Sequence, residues 1–138
     1  MPSDDALAGR AQAVLDIPLH RFLGIDLRRR DDPAAGIWFA VDSPALNPAA
    51  MLHGGVVYTV LDVAAFLALL PHLTDGEHAV THDLTASLLR PVPAGARVDV
   101  TASVLRRGRA VAFLRTEAWV DGQLVAAGQV TKTVVPVS

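Results

Sequence analysis

Residues 53–71 read His53-Gly54-Gly55-Val56-Val57-Tyr58-Thr59-Val60-Leu61-Asp62-Val63-Ala64-Ala65-Phe66-Leu67-Ala68-Leu69-Leu70-Pro71. From Val56 to Leu70 only Tyr58, Thr59 and Asp62 interrupt the apolar run, and that length favours a helix over a strand despite the β-branched start. Pro71 stops it. The run is too short for a bilayer, which takes roughly 20 apolar residues. A helix that is apolar on all sides has to be buried on all sides.

The flanking sequence supplies the cover. After the Thr74-Asp75-Gly76 turn, Val80, His82, Leu84, Ala86 and Leu88 are predicted on one strand face, with Thr81, Asp83, Thr85 and Ser87 on the other. Pro91-Val92-Pro93-Ala94-Gly95 ends that strand, and Val98, Val100, Ala102 and Val104 line the next. A turn at Arg107-Gly108 leads into Ala110 to Val120. Asp121-Gly122 is a hairpin signal, because type I′ turns need residues that tolerate positive φ. Gln123 to Val135 closes the meander. Upstream, residues 4–16 read as an amphipathic helix with Leu7, Ala11, Val14 and Leu15 on one side, ended by Pro18. Arg21 to Arg30 and Ala35 to Val41 read as two strands joined by Asp31-Asp32-Pro33. Residues 43–52 have no period and form a loop. The expected fold is α+β: one domain over 1–138, with 1–20 as N-terminal helix and lead-in, and a curved antiparallel sheet wrapped around one helix over about 54–70.

Composition narrows the chemistry. The 138 residues carry a net charge of -2, 51% hydrophobic side chains and no cysteine. No basic face is available for phosphate backbones or anionic lipid, so neither nucleic acid nor membrane is an expected partner. Without cysteine there is no thiolate nucleophile and no Cys-ligated metal. A mean hydropathy of +0.37 points to apolar surface buried between subunits. The first residues, with Asp4 and Asp5 and no long apolar core, do not resemble a secretory signal, which makes the cytoplasm the expected compartment. No nucleophile elbow, H-E-x-x-H, P-loop or dinucleotide fingerprint occurs. His78 and His82 are four apart on one predicted strand but lack a third ligand, so no metal is expected.

Asp62 is the one charge inside the apolar run, and a carboxylate there needs either a partner or a purpose. It either faces a solvated groove or belongs to a site. Gly54 and Gly55 sit where the helix begins, and its first N–H groups have no internal acceptor. They either shape the turn or admit a ligand to those donors. Asn47 is by itself a turn former.

Taken together, Asn47, His53-Gly54-Gly55 and Asp62 follow the pattern N-x(5)-H-G-G-x(6)-D. This resembles the helix motif of hotdog-fold acyl-CoA thioesterases of the phenylacetate-pathway type. Thr81-His82-Asp83-Leu84, Leu89-Arg90-Pro91-Val92-Pro93-Ala94-Gly95 and Ala126-Ala127-Gly128-Gln129-Val130-Thr131-Lys132 resemble further segments of that family, so the likeness spans roughly residues 20–135. The resemblance implies a homodimer, usually paired into a homotetramer, that hydrolyses acyl-CoA without metal or redox cofactor. It also implies interfacial sites in which Asn47, His53 and Gly54 come from one subunit and Asp62 from the other. The Gly54 N–H would hold the thioester oxygen, Asp62 would act as base or nucleophile, Thr81 would orient water or carboxylate, and His53 would shape the turn.

Arg106, Arg107 and Arg109 form a basic hairpin that either contacts the phosphates of coenzyme A or is a charged sheet edge. Arg90 is a further phosphate candidate. A non-catalytic acyl-CoA sensor is the alternative function, although a sensor has no need of Asp62. A hotdog hydratase would use a differently placed Asp/His pair.

Overall fold

Ser3 caps the first helix in the computed structural model, which describes residues 2–137: its hydroxyl accepts from the Ala6 N–H at 3.1 Å, and Asp4 and Asp5 complement the dipole of α1 (Asp4–Leu15). The expected strand over 21–30 is largely absent. Pro18, expected only to end a helix, is the first residue of α2 (Pro18–Phe22), because its fixed φ suits a helix start. His20 Nδ1 bonds the Val14 carbonyl oxygen at 2.8 Å and folds α2 back on α1. Gly24 then turns at φ 73, which leaves only Asp26–Leu27 for β1.

A 3₁₀ turn at Pro33–Ala35 precedes β2 (Ile37–Ala40), and another at Ser43–Ala45 opens the loop that leads to α3 (Gly54–Leu69). Pro71 sits in a closing 3₁₀ turn, Leu70–His72. The chain then runs through β3 (Glu77–Leu88), β4 (Arg97–Arg107), β5 (Val111–Val120) and β6 (Gln123–Pro136). All six strands form one antiparallel sheet in the order β1-β2-β4-β5-β6-β3. Asp121 and Gly122 take φ of 49 and 76, as the type I′ hairpin requires.

Packing of α3 is chiefly against β4 and β5. Val60, Leu61, Leu67 and Leu69 meet sheet residues that include Phe39, Val98, Val100, Leu114 and Val130, all fully buried. Each such side chain contributes about 1.5–3 kcal/mol. The buried Thr116 hydroxyl donates to the Leu61 carbonyl oxygen at 2.8 Å, which fixes the helix beside Asp62. By length and composition Gly54–His72 could cross a membrane, but more than half of it is buried within the fold.

Two expectations about this core need correction. α3 is not enclosed on all sides: Gly55, Tyr58, Thr59, Asp62 and Phe66, spaced three or four apart, form an open stripe. The alternation along β3 also breaks. A bulge places Thr81 opposite Lys132 but Asp83 opposite Thr131, with His82 as the extra residue. Ala79 and Thr81 therefore face the helix, and beyond the bulge Leu84 and Ala86 do so as well. One inserted residue moved Thr81 onto the face that period two had denied it. Beyond β3 the sheet has no further strand among the described residues.

Gly36 tests the crossing of β2 with β4. Its φ is 108, and a Cβ there would lie 2.2 Å from the Val100 carbonyl oxygen. Gly36→Ala is expected to cost at least about 2 kcal/mol by urea denaturation, because strain and a backbone collision coincide. Gly9, mid-α1 with nothing near its missing Cβ, is the contrast: Gly9→Ala should stabilise by up to about 1 kcal/mol.

Candidate active site

The loop before α3 is held by its own side chains. Asn47 Oδ1 accepts from the N–H groups of Ala49 at 2.9 Å and Met51 at 3.1 Å. Leu52 N–H bonds the Val92 carbonyl oxygen and Met51 bridges to Pro93, so the Pro-Val-Pro turn clamps the loop from outside. With Oδ1 occupied, the Asn47 amide has N–H donors to spare and no acceptor for them among the described residues.

His53 caps α3 in a way that leaves one particular donor over. Its Nδ1 accepts from Gly55 N–H at 2.9 Å, and its carbonyl oxygen accepts from Val56 and Val57. Gly54 N–H finds no acceptor among the described residues. It stands at the positive end of a 16-residue helix. Asn47 and Gly54 line one cavity of about 300 Å³, with Arg90 at its wall. Two neutral donors on residues that line one cavity at a helix N-terminus suit a carbonyl oxygen that is gaining charge.

Asp62 occupies a second cavity, of about 540 Å³, together with Thr81 and Lys132 and apolar walls from α3 and the α1–α2 lead-in. The Thr81 hydroxyl lies 2.8 Å from both carboxylate oxygens. Lys132 Nζ lies 2.9 Å from Asp62 Oδ1 and 3.0 Å from Thr81 Oγ1. The Asp62 side chain is 34% exposed and that of Lys132 only 3%.

The two cavities are separate within one chain. Gly54 and Asp62 are eight positions apart along the helix, about 12 Å of axial rise. The structure thus joins Asn47 with Gly54, and Asp62 with Thr81, and does not bring the two pairs to a common point.

Lys132 was absent from the candidates drawn from the sequence. The available signal was that it is the sole lysine of the chain and stands in an otherwise uncharged strand. Its partner could not be read, because the β3 bulge has no sequence signature.

The arginine hairpin divides. Arg107 donates to both Glu77 oxygens at 2.8 Å and to the carbonyl oxygens of His72, Gly108 and Arg109. The Thr74 backbone N–H, with the Arg107 guanidinium second, holds the Glu77 carboxyl below the usual carboxylate range. Arg107 is therefore committed to tying β3 to the β4–β5 turn. Arg106 and Arg109 have no such side-chain partner among the described residues. The two histidines also part: His78 packs edge-on to Phe66 with ring centroids 5.4 Å apart, while His82 Nδ1 lies 3.0 Å from Thr133 Oγ1.

Comparison with known proteins bears on the family and the fold. Residues 50–127 match the family model described as the thioesterase superfamily. The medium/long-chain acyl-CoA thioesterase YigI of Escherichia coli is 35% identical over 129 residues, covering 83% of each chain. A thioesterase structure from Haemophilus influenzae superposes with a TM-score of 0.82 over 99% of this chain and 92% of its own, and its 22% identity makes that a likeness of fold. A point mutant of the phenylacetic acid degradation protein PaaI from Thermus thermophilus is 28% identical, with a TM-score of 0.74 over 84% of this chain and 97% of its own. The chain belongs to the thioesterase superfamily, as a thioester hydrolase of the hotdog fold.

Proposed function

We propose that this chain hydrolyses acyl-CoA thioesters to free acid and coenzyme A, with no metal or redox cofactor. The observation that carries the reading is the Asp62 carboxylate held at 2.8 Å by Thr81 on the open stripe of α3, in a chain whose Gly54 N–H lacks an acceptor among the described residues. The thioester oxygen would sit against Gly54 N–H and the Asn47 amide. Asp62 either takes a proton from water as water attacks the carbonyl, or attacks the carbonyl itself to form an anhydride that water then opens. In both cases the C–S bond breaks and coenzyme A leaves as the thiol.

The two halves meet if two copies pair. β3 is a 12-residue edge strand with Val80 and Leu88 about half exposed, and such an edge invites another strand. A two-fold axis at Tyr58 on the open stripe sets residue 54 of one copy opposite residue 62 of the other. A homodimer with two composite sites follows, and the outer sheet face, where Leu105 and Phe113 are exposed, offers a surface for pairing dimers into a tetramer. The substrate class makes the cytoplasm the proposed compartment.

Phosphate contacts are assigned to Arg90, beside Gly54, and to Arg106 and Arg109 of the copy that supplies Asp62. Replacing these three by Ala should raise KM with kcat nearly unchanged, at about 1 kcal/mol for each exposed contact. An unchanged KM would make them plain surface charges.

Asp62→Asn should lower kcat by roughly 10² to 10⁴ at similar KM. It also leaves Lys132 without a counter-ion, so the melting temperature should fall, and circular dichroism must confirm a folded sample. A folded Asp62→Asn protein with full thioesterase activity would refute the mechanism. An inactive wild type that still binds acyl-CoA would establish the sensor reading instead.

A further inference from the structure

Lys132 is the only lysine in the chain, and it is almost completely buried. An ammonium in that position costs several kcal/mol in lost hydration, and stability alone would be served as well by an apolar side chain. Its neighbours on the same face of β6, Val130 and Val134, are apolar. Directly across from it stand Thr81 on β3 and Ala112 on β5. The strand therefore packs without needing a charge at this position.

The ammonium does something more specific to the hydrogen-bond pattern. Lys132 has donors and no acceptor, so Thr81 Oγ1, 3.0 Å away, must accept from it. The single Thr81 hydroxyl hydrogen is thereby directed to Asp62. Oδ1 then receives Lys132 at 2.9 Å, and the Thr81 hydroxyl lies 2.8 Å from both oxygens, so Oδ2 carries no second partner among the described residues. A carboxylate torsion is otherwise soft, with a broad two-fold profile. The Phe66 ring, 5.4 Å from Nζ, closes the space around the ammonium.

We propose that Lys132 is a positioning residue for the Asp62 carboxylate, pinning Oδ1 to β6 through the Lys132–Thr81–Asp62 triangle and presenting Oδ2 to the groove. The inference rests on the reading of Asp62 as the reacting carboxylate. Lys132→Met should lower kcat on the order of 10²-fold, the cost of a misplaced reacting group, with KM changed by no more than about twofold. Its melting temperature should stay level or rise, since a buried charge has been removed. Lys132→Arg, which keeps a cation, should recover part of kcat. If Met at this position prevents folding, Lys132→Gln serves in its place, with the same loss of kcat at steady KM expected.

A folded Lys132→Met or Lys132→Gln protein with wild-type kcat on an active wild-type background would overturn the inference and leave the thioesterase reading standing. A change in KM alone would also overturn it. A wild type inactive on every acyl-CoA would remove the catalytic reading of Asp62, and this inference with it.

Discussion

An apolar helix sheds water only where something covers it, and the site in this chain follows from how far the cover extends. The sheet curls around α3 from β2 to β3 and leaves the stripe of Gly55, Tyr58, Asp62 and Phe66 open. On that stripe a side chain of the helix can carry charge without losing all its hydration. Asp62 stands there, one-third exposed, and the same opening borders the unpaired edge of β3. The candidate site and the proposed interface therefore both lie at one gap in the sheet.

The opposing demands on Asp62 are met by residues far apart in sequence. Thr81 reaches it because a bulge reverses the strand face, and Lys132 reaches it because β6 pairs with β3 at that level. At the other end of α3, His53 satisfies three of the first N–H groups and leaves that of Gly54. One helix thus offers a donor at its start and a carboxylate two turns later, too far apart to serve a single carbonyl. In the proposed homodimer a second copy would supply the missing half without any change in the chain.

Much of this was legible beforehand, for identifiable reasons. The helix followed from a nearly uninterrupted apolar run, the meander from period two, and the last hairpin from Asp121-Gly122. Asp62 stood out as the one charge in the apolar run, Asn47 and Gly54 only through the resemblance of the whole set to a family motif, and the structure places Asn47 and Gly54 at one cavity and Asp62 at another. What failed was set by tertiary context. Residues 21–30 lost their strand to a proline that starts a helix and a glycine that turns. The faces of β3 were misread because a bulge obeys no composition rule. Arg107 looked like its neighbours until the fold set Glu77 beside it, and Lys132, quoted only as the end of a family-like strand, received no role because a lone lysine usually lies on a surface.

The central claim is that each site takes Gly54 from one copy and Asp62 from another, and subunit complementation tests it most directly. Asp62→Asn removes the carboxylate, and Gly54→Val walls off the helix N-terminus where a Cβ has room beside Leu88. Each variant alone should be nearly inactive. When the two are unfolded and refolded together, half of the dimers are hybrids, and each hybrid holds one undamaged site under two-fold symmetry. About a quarter of wild-type activity is expected to return. If the mixture stays as inactive as its components while hybrid dimers are demonstrably present, each site lies within a single chain, and the shared site is refuted.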